Sequence, residues 1–313
     1  MTRTAGLALF ILPLLGPSTG QAQDPAELTG QGDSALAAGD TRKAIGLYTK
    51  AIAADDASLA AYEGRARAYF ELEQLDRFVL DVDRVLRMDT ASFTGHLLKA
   101  TYAFRGEDMN TAEHHAARAE RHARTALERG EALLIKGQAK AAFNQVDAAV
   151  ADLEAGLGQG ADDNGATATL ARLYDTQGRH ADALALLEVL CEKEPRNIAH
   201  WSNRGHELNQ LERYDEAVTV LGTALKLDKD EPIVLNNRAL ALLALGRHKE
   251  ALRDADRSLR SLPGNGHTLR TRALVRVQLG DRERACRDLA AAKSVGGVAD
   301  VDELIATHCI GPN

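Results

Sequence analysis

The chain has 313 residues, of which 45% are hydrophobic, 27% charged and only 4% aromatic, with a formal net charge of −7. That length and apolar content allow a sizeable buried core and exclude a chain that is disordered throughout. The acidic balance, with no compensating Lys/Arg tract, disfavours nucleic acid as a partner because such a body repels phosphate.

The chain opens MTRTAGLALFILPLLGPSTGQAQDP, with one cation at Arg3, an apolar run from Ala5 to Gly16 and a polar tail of small residues. This is the pattern of a secretory signal peptide, and Gly20 with Ala22 places cleavage after Ala22. The apolar run is too short to span a bilayer as a stable helix. No Cys follows it to carry a lipid, so a periplasmic or secreted protein without stable membrane insertion is expected, the alternative being a retained anchor. Loss of Arg3 with residues 1–22 takes the net charge to about −8.

From Pro25 onward, abundant Ala, Leu, Asp, Glu and Arg with only seven Pro in the whole chain favours helix over strand. One series of small residues runs Gly32, Ala66, Ala100, Gly137, Ala171, Gly205, Ala239, Ala273. A second runs Ala44, Phe78, Ala112, Ala149, Ala183, Ala217, Ala251, Ala285. Both keep a 34-residue step apart from one three-residue insertion between Ala112 and Ala149. Self-similarity at a fixed period is the signature of a solenoid. Each unit reads as two helices joined by a turn at Gly39, Gly106, Gly178, Gly246 or Gly280. The small residues are expected to let the two backbones approach closely. Larger residues such as Trp201, Leu208, Tyr214, Leu221, Leu235 and Leu242 are expected to fill the space between hairpins.

The period, the apolar Trp201, small Gly205, aromatic Tyr214, small Ala217 and Ala224, and Pro195 and Pro263 at unit ends resemble the tetratricopeptide repeat family from about Pro25 to Ala299. The resemblance implies an all-α, right-handed α-solenoid of helix-turn-helix hairpins. Its repeats fall at about 25–58, 59–92, 93–126, 130–163, 164–197, 198–231, 232–265 and 266–299 of one domain, 23–313. Phe78 in place of a small residue, Glu73, Asn144 and Glu212 in place of the turn glycine, and the insertion near His122 to Gly130 depart from the pattern. The second and third units are therefore expected to be the least regular.

In the third unit, His115 and His122 of HHAARAERH share a helix face with His114 alongside, yet no Cys or carboxylate spacing completes a ligand set. No metal and no cofactor is expected. A basic residue precedes the small residue of the first helix at Arg65, Lys99, Lys136, Arg204, Arg238 and Arg272. These either form a cationic stripe for an acidic partner or cover apolar surface and pair with acids of the next unit, which is the favoured alternative.

The family resemblance implies a concave groove, lined by first helices, that binds an extended peptide or a partner helix. A carboxylate clamp of the kind some members use is matched at Asn203 and Asn237. It fails elsewhere, where Ala168, Arg172, Ile233 and His267 stand, so no paired cationic fork is available. What remains is a mixed wall of Arg172, Asn203, His206, Asn237 and Arg270 beside Leu240, Leu243 and Leu274, suited to a peptide backbone.

Cys286 in the last second helix and Cys309 at the chain end are expected to pair in an oxidising compartment. Closing that loop contributes about 3 kcal/mol in the chain-entropy picture. Cys191 lies three repeats away and is expected to be a buried, inert thiol. The segment DVDELIATHC opens with a capping-box-like Asp300 and Glu303 and puts Val301, Leu304 and Ile305 on one face, as a capping helix over about 300–310 would.

Eight units leave no room among these residues for a catalytic domain, and no nucleophile motif or Gly-rich phosphate loop occurs. The expectation is a non-catalytic scaffold of the cell envelope that binds a protein or peptide. Alternatives are a periplasmic small-ligand or metal binder using the third-unit histidines, or a module that self-associates.

Overall fold

The computed structural model describes residues 24–310, so the signal peptide expected over residues 1–22 lies outside the described residues. Seventeen helices and no strand occur among the described residues. The chain separates into two compact units, one up to Lys99 and one from Ala100 onward.

The first unit holds α1 (Pro25–Ala37), α2 (Thr41–Ala54), α3 (Leu59–Glu71) and α4 (Leu75–Met88), and α5 (Phe93–Arg105) begins in it. Asp24 and Asp40 cap α1 and α2 by accepting hydrogen bonds from the backbone N–H of Ala26 and Lys43, satisfying donors that a helix start leaves open. Leu28, Ala44, Tyr48, Ala51 and Ala61 form the core. Tyr48 is fully buried, and its hydroxyl donates to Asp33 Oδ1 at 2.7 Å. Burial first, and the Asp33 contact second, push the phenol pKa well up.

The second unit continues with α6 (Met109–His122), α7 (Ala126–Ala142), α8 (Val146–Gly158), α9 (Asn164–Thr176), α10 (His180–Lys193), α11 (Ile198–Gln210) and α12 (Tyr214–Leu227). It ends with α13 (Pro232–Ala244), α14 (His248–Ser261), α15 (Gly266–Gln278), α16 (Arg282–Val295) and α17 (Val301–His308). Helices pack with their chain neighbours, and first helices also touch the next first helix, as α11 does α13 and α13 does α15. A stack of hairpins follows, with apolar clusters repeated along it. The fourth unit, expected to start at 130, opens four residues earlier. A capping box between Thr125 and Glu128 starts α7 at Ala126, and the inserted residues extend that helix to 17 residues.

The turns follow one geometric rule. Seven residues after each small residue of the first helix, the backbone enters the left-handed region, at Gly39, Gly178, Gly246 and Gly280, but also at Glu73, Glu107, Asn144 and Glu212. In the third unit the left-handed residue is therefore Glu107 (φ 60°) and not Gly106, which the sequence had suggested. At Gly39 the turn is closed by Asp40 N–H bonding Ala35 C=O at 2.9 Å and Gly39 N–H bonding Leu36 C=O at 2.9 Å, a Schellman pattern that leads straight into the next cap.

The small residues also make room for side chains. A methyl group at Gly32, Gly137 or Gly205 would stand 2.6, 2.7 or 2.4 Å from a side-chain atom of Tyr48, Leu153 or Leu221, each on the facing second helix. The glycines thus make room for a bulky side chain sixteen residues on, more than for a bare backbone. A direct backbone approach is also present, since a methyl at Gly137 would lie 3.1 Å from the carbonyl oxygen of Ala149 and one at Gly130 2.8 Å from that of Gly156. The alanines of the second series, such as Ala44, Ala112, Ala217 and Ala285, are fully buried, while Phe78 is buried with its ring centroid 5.0 Å from that of Phe70.

The basic residues before the small marks are spent inside the fold. Arg65, Arg238 and Arg272 each grip an acid sixteen residues ahead in their own hairpin, Asp81, Asp254 and Asp288, at 2.7–2.9 Å through two guanidinium nitrogens. Lys99 and Arg204 bind an acid sixteen residues behind, Asp83 and Glu188, at 2.9 Å. Lys136 and Arg272 do both, joining Glu120 to Asp152 and Asp256 to Asp288. The partners thus sit in the same and the preceding hairpin, not in the next one. These cations tie second helices together through the intervening first helix, which removes the cationic-stripe alternative.

Candidate functional site

The five residues expected in the groove divide sharply. His206 on α11, Asn237 on α13 and Arg270 on α15 line one cavity of about 280 Å³, with Leu240 and the half-exposed Ile233 as its apolar wall. Arg172 and Asn203 are exposed but do not line it, and neither do Leu243 and Leu274. The three residues converge because first helices contact one another directly, so residues one repeat apart or nearly so sit side by side.

Polar groups in the cavity are held by the scaffold. Asn237 is buried, and its backbone carbonyl accepts from Asn209 Nδ2 at 2.8 Å. Asn236, which the sequence reading passed over, is also buried and places Oδ1 2.9 Å from the Thr271 hydroxyl. The Asn-Asn pair on a helix otherwise apolar but for Arg238 was the signal that could have found it. Arg270 forms a two-pronged ion pair with Asp300, with Nε 2.6 Å from Oδ1. That hydrogen bond first, and the charge of the same guanidinium in addition, draw the Asp300 carboxyl below its ordinary pKa. Because Asp300 precedes α17, Arg270 pins the capping helix to α15 as well as facing the cavity. The cavity therefore offers imidazole, amide and carbonyl groups beside apolar surface, and its guanidinium is already neutralised.

A second constellation lies where α9, α10 and α11 meet. Asp175 Oδ1 is 3.5 Å from His180 Nδ1 and 3.4 Å from His206 Nε2, and His180 Nδ1 is 2.9 Å from Glu207 Oε2. Glu207 is buried, and burial is the first cause that raises its carboxyl pKa, with Asp175 adding to it against the lowering contact of His180. Among the described residues, Asp175, His206 and Glu207 are the group whose His, Asp or Glu donor atoms converge within 4.8 Å. The histidines that are clustered in the sequence lie on α6, where His114 and His115 meet edge-on with ring centroids 5.1 Å apart. The converging donors come instead from separate helices.

Cys286 and Cys309 are disulfide-linked with Cα atoms 5.6 Å apart, joining α16 to the end of α17. Cys191 is a free, buried thiol, and burial pushes its pKa up to about 11. No helix among the described residues is long and apolar enough to cross a membrane.

Comparison with known proteins agrees with this architecture. The sequence model described as "Tetratricopeptide repeat" matches residues 29–93, 136–198 and 203–266, together more than half of the chain. A TPR repeat-containing thioredoxin, TTL4 of Arabidopsis thaliana, is 32% identical over 84 residues, a match covering 27% of this chain and 12% of that protein. The chain thus spans about an eighth of the curated relative it matches. Among solved structures, the APC/C hetero-tetramer Cut9–Hcn1 is similar in fold, with 13% identity and a TM-score of 0.54 over 93% of this chain and 57% of that one. A MamA structure, MSR-1 C2, is 26% identical with a TM-score of 0.45 over 53% of this chain and 96% of its own. By the repeat sequences it carries, the chain belongs to the tetratricopeptide repeat family.

Proposed function

We propose that this protein is a non-catalytic scaffold that holds an extended peptide segment of a partner protein in the groove formed by α11, α13 and α15. The supporting observation is the cavity in which His206, Asn237 and Arg270 stand beside Ile233 and Leu240. Fixed amide and imidazole groups can hydrogen-bond a peptide backbone, while the apolar wall takes alternate side chains. Buried anchoring amides cost little to order on binding because the scaffold already fixes them.

The place of action is the cell envelope or beyond, with cleavage after Ala22. That proposal draws on the apolar N-terminal pattern and on the Cys286–Cys309 link, a bond characteristic of oxidising compartments. N-terminal sequencing of the exported protein should begin at Gln23; a cytosolic protein starting at Met1 sinks the proposal.

The groove is tested by capture of partners from the native compartment on the full chain and on Ile233→Glu, which places a charge at a half-exposed position of the apolar wall. Loss of the captured partner with unchanged circular dichroism is expected. Retention of every partner by Ile233→Glu overturns the groove as the binding surface.

A further inference from the structure

We propose that Asp175, His206 and Glu207 form a binding site for a divalent transition-metal ion, with zinc as the natural probe. The donors come from the end of α9 and the middle of α11, and their ligand atoms lie within 4.8 Å of one another. Zinc bonds of about 2.0–2.2 Å to imidazole and carboxylate set neighbouring donor atoms roughly 3.3–3.6 Å apart. Asp175 Oδ1 and His206 Nε2 already stand 3.4 Å apart, within that range, and Glu207 completes the group within 4.8 Å.

The chemistry of the cluster favours a cation. Two carboxylates share a small volume, one of them, Glu207, only 3% exposed. A buried carboxylate is costly unless compensated, and here the hydrogen-bonding partner is an imidazole, His180, whose Nδ1 reaches Glu207 Oε2 at 2.9 Å. A divalent ion would relieve both the loss of solvation and the repulsion between the two acids. Imidazole combined with carboxylate is a donor set that suits zinc and its first-row neighbours. An imidazole ligates a metal through a ring nitrogen that carries no proton, and the neighbour His206 Nε2 would leave in doing so is the Gln210 amide nitrogen, 3.3 Å away. Metal uptake would replace this contact. His180, bonded to Glu207, is placed to orient the carboxylate from outside the donor set, the arrangement usual around metal-bound side chains.

The site is separate from the peptide proposal in its donors, since only His206 belongs to both. Titration calorimetry of untagged, chelator-treated full chain with Zn²⁺ alone should show one ion bound per chain. His206→Gln and Asp175→Asn should each weaken binding at least tenfold, while His114→Gln and His122→Gln leave it unchanged. Cobalt uptake by the unaltered protein supplies a check independent of variant folding, with visible absorption of a four- or five-coordinate nitrogen and oxygen site expected. Absence of stoichiometric zinc or cobalt uptake, equal uptake by the His206 and Asp175 variants, or loss of uptake on changing His114 or His122 overturns the proposal. Zinc binding that survives Ile233→Glu while partner capture is lost separates this site from the groove.

Discussion

Gly205 and Leu221 interlock so closely that a methyl group on the glycine would stand 2.4 Å from both Cγ and Cδ2 of the leucine. The glycine sits mid-helix, where it costs about 1 kcal/mol relative to alanine. That cost is offset because Leu221, fully buried, fills the space a Cβ would occupy. Gly205→Ala should therefore destabilise the protein by about 1–3 kcal/mol through overpacking, in spite of the better helix propensity. Denaturant unfolding of Gly205→Ala, Leu221→Ala and the pair should show coupling. Additive effects, or stabilisation by Gly205→Ala alone, would refute the packing account.

Arg238 grips Asp254 at 2.7 and 2.9 Å, and the aspartate is only 4% exposed. Removing the cation strands a buried charge, for which losses of about 3–5 kcal/mol are usual when both partners are fully buried. Arg238 keeps some solvent contact, so Arg238→Met should lose about 2 kcal/mol, and Arg238→Met with Asp254→Leu should recover much of it. Equal stability of Arg238→Met and the parent chain would show that the ion pair contributes nothing.

Glu212 holds a left-handed backbone (φ 58°) where other units use glycine. For a residue with a Cβ that conformation costs roughly 1–2 kcal/mol, partly offset by the extra freedom glycine has when unfolded. Glu212→Gly should raise the melting temperature, a gain of about 0.5–1 kcal/mol, and the same sign is expected at Glu73 and Glu107. A fall in melting temperature at all three positions would contradict the turn rule.

The two kinds of cysteine should separate in one experiment. Native protein should show no alkylation of Cys191 at neutral pH, because burial lifts its pKa to about 11 and shields the sulfur, and should label there only on unfolding. Cys286→Ser with Cys309→Ser should cost about 3 kcal/mol, the loop-closure value for this span. Hydrogen exchange should accelerate chiefly in α16 and α17, the elements the bond joins. Rapid labelling of Cys191 in the folded chain, or unchanged exchange after removal of the disulfide, would count against these assignments.

The sequence by itself determined the helices, the repeat and the positions of the small residues, because helical periodicity and nearest-neighbour packing are local properties that recur with the repeat. It also held, unread, the sixteen-residue spacing from Arg65, Arg238 and Arg272 to Asp81, Asp254 and Asp288, which is fixed by the geometry of one hairpin. Gly106 misled because glycine's identity suggested the turn, while the constant distance from the small residue marks Glu107. Only the tertiary structure decided that Arg270 meets Asp300, that His206 and Arg270 share a cavity while Arg172 does not, and that Asp175 faces His206 and His180 faces Glu207. Those meetings join residues at least 27 positions apart in different elements. They depend on how each helix is rotated and crossed against its neighbour, which no spacing along one chain records.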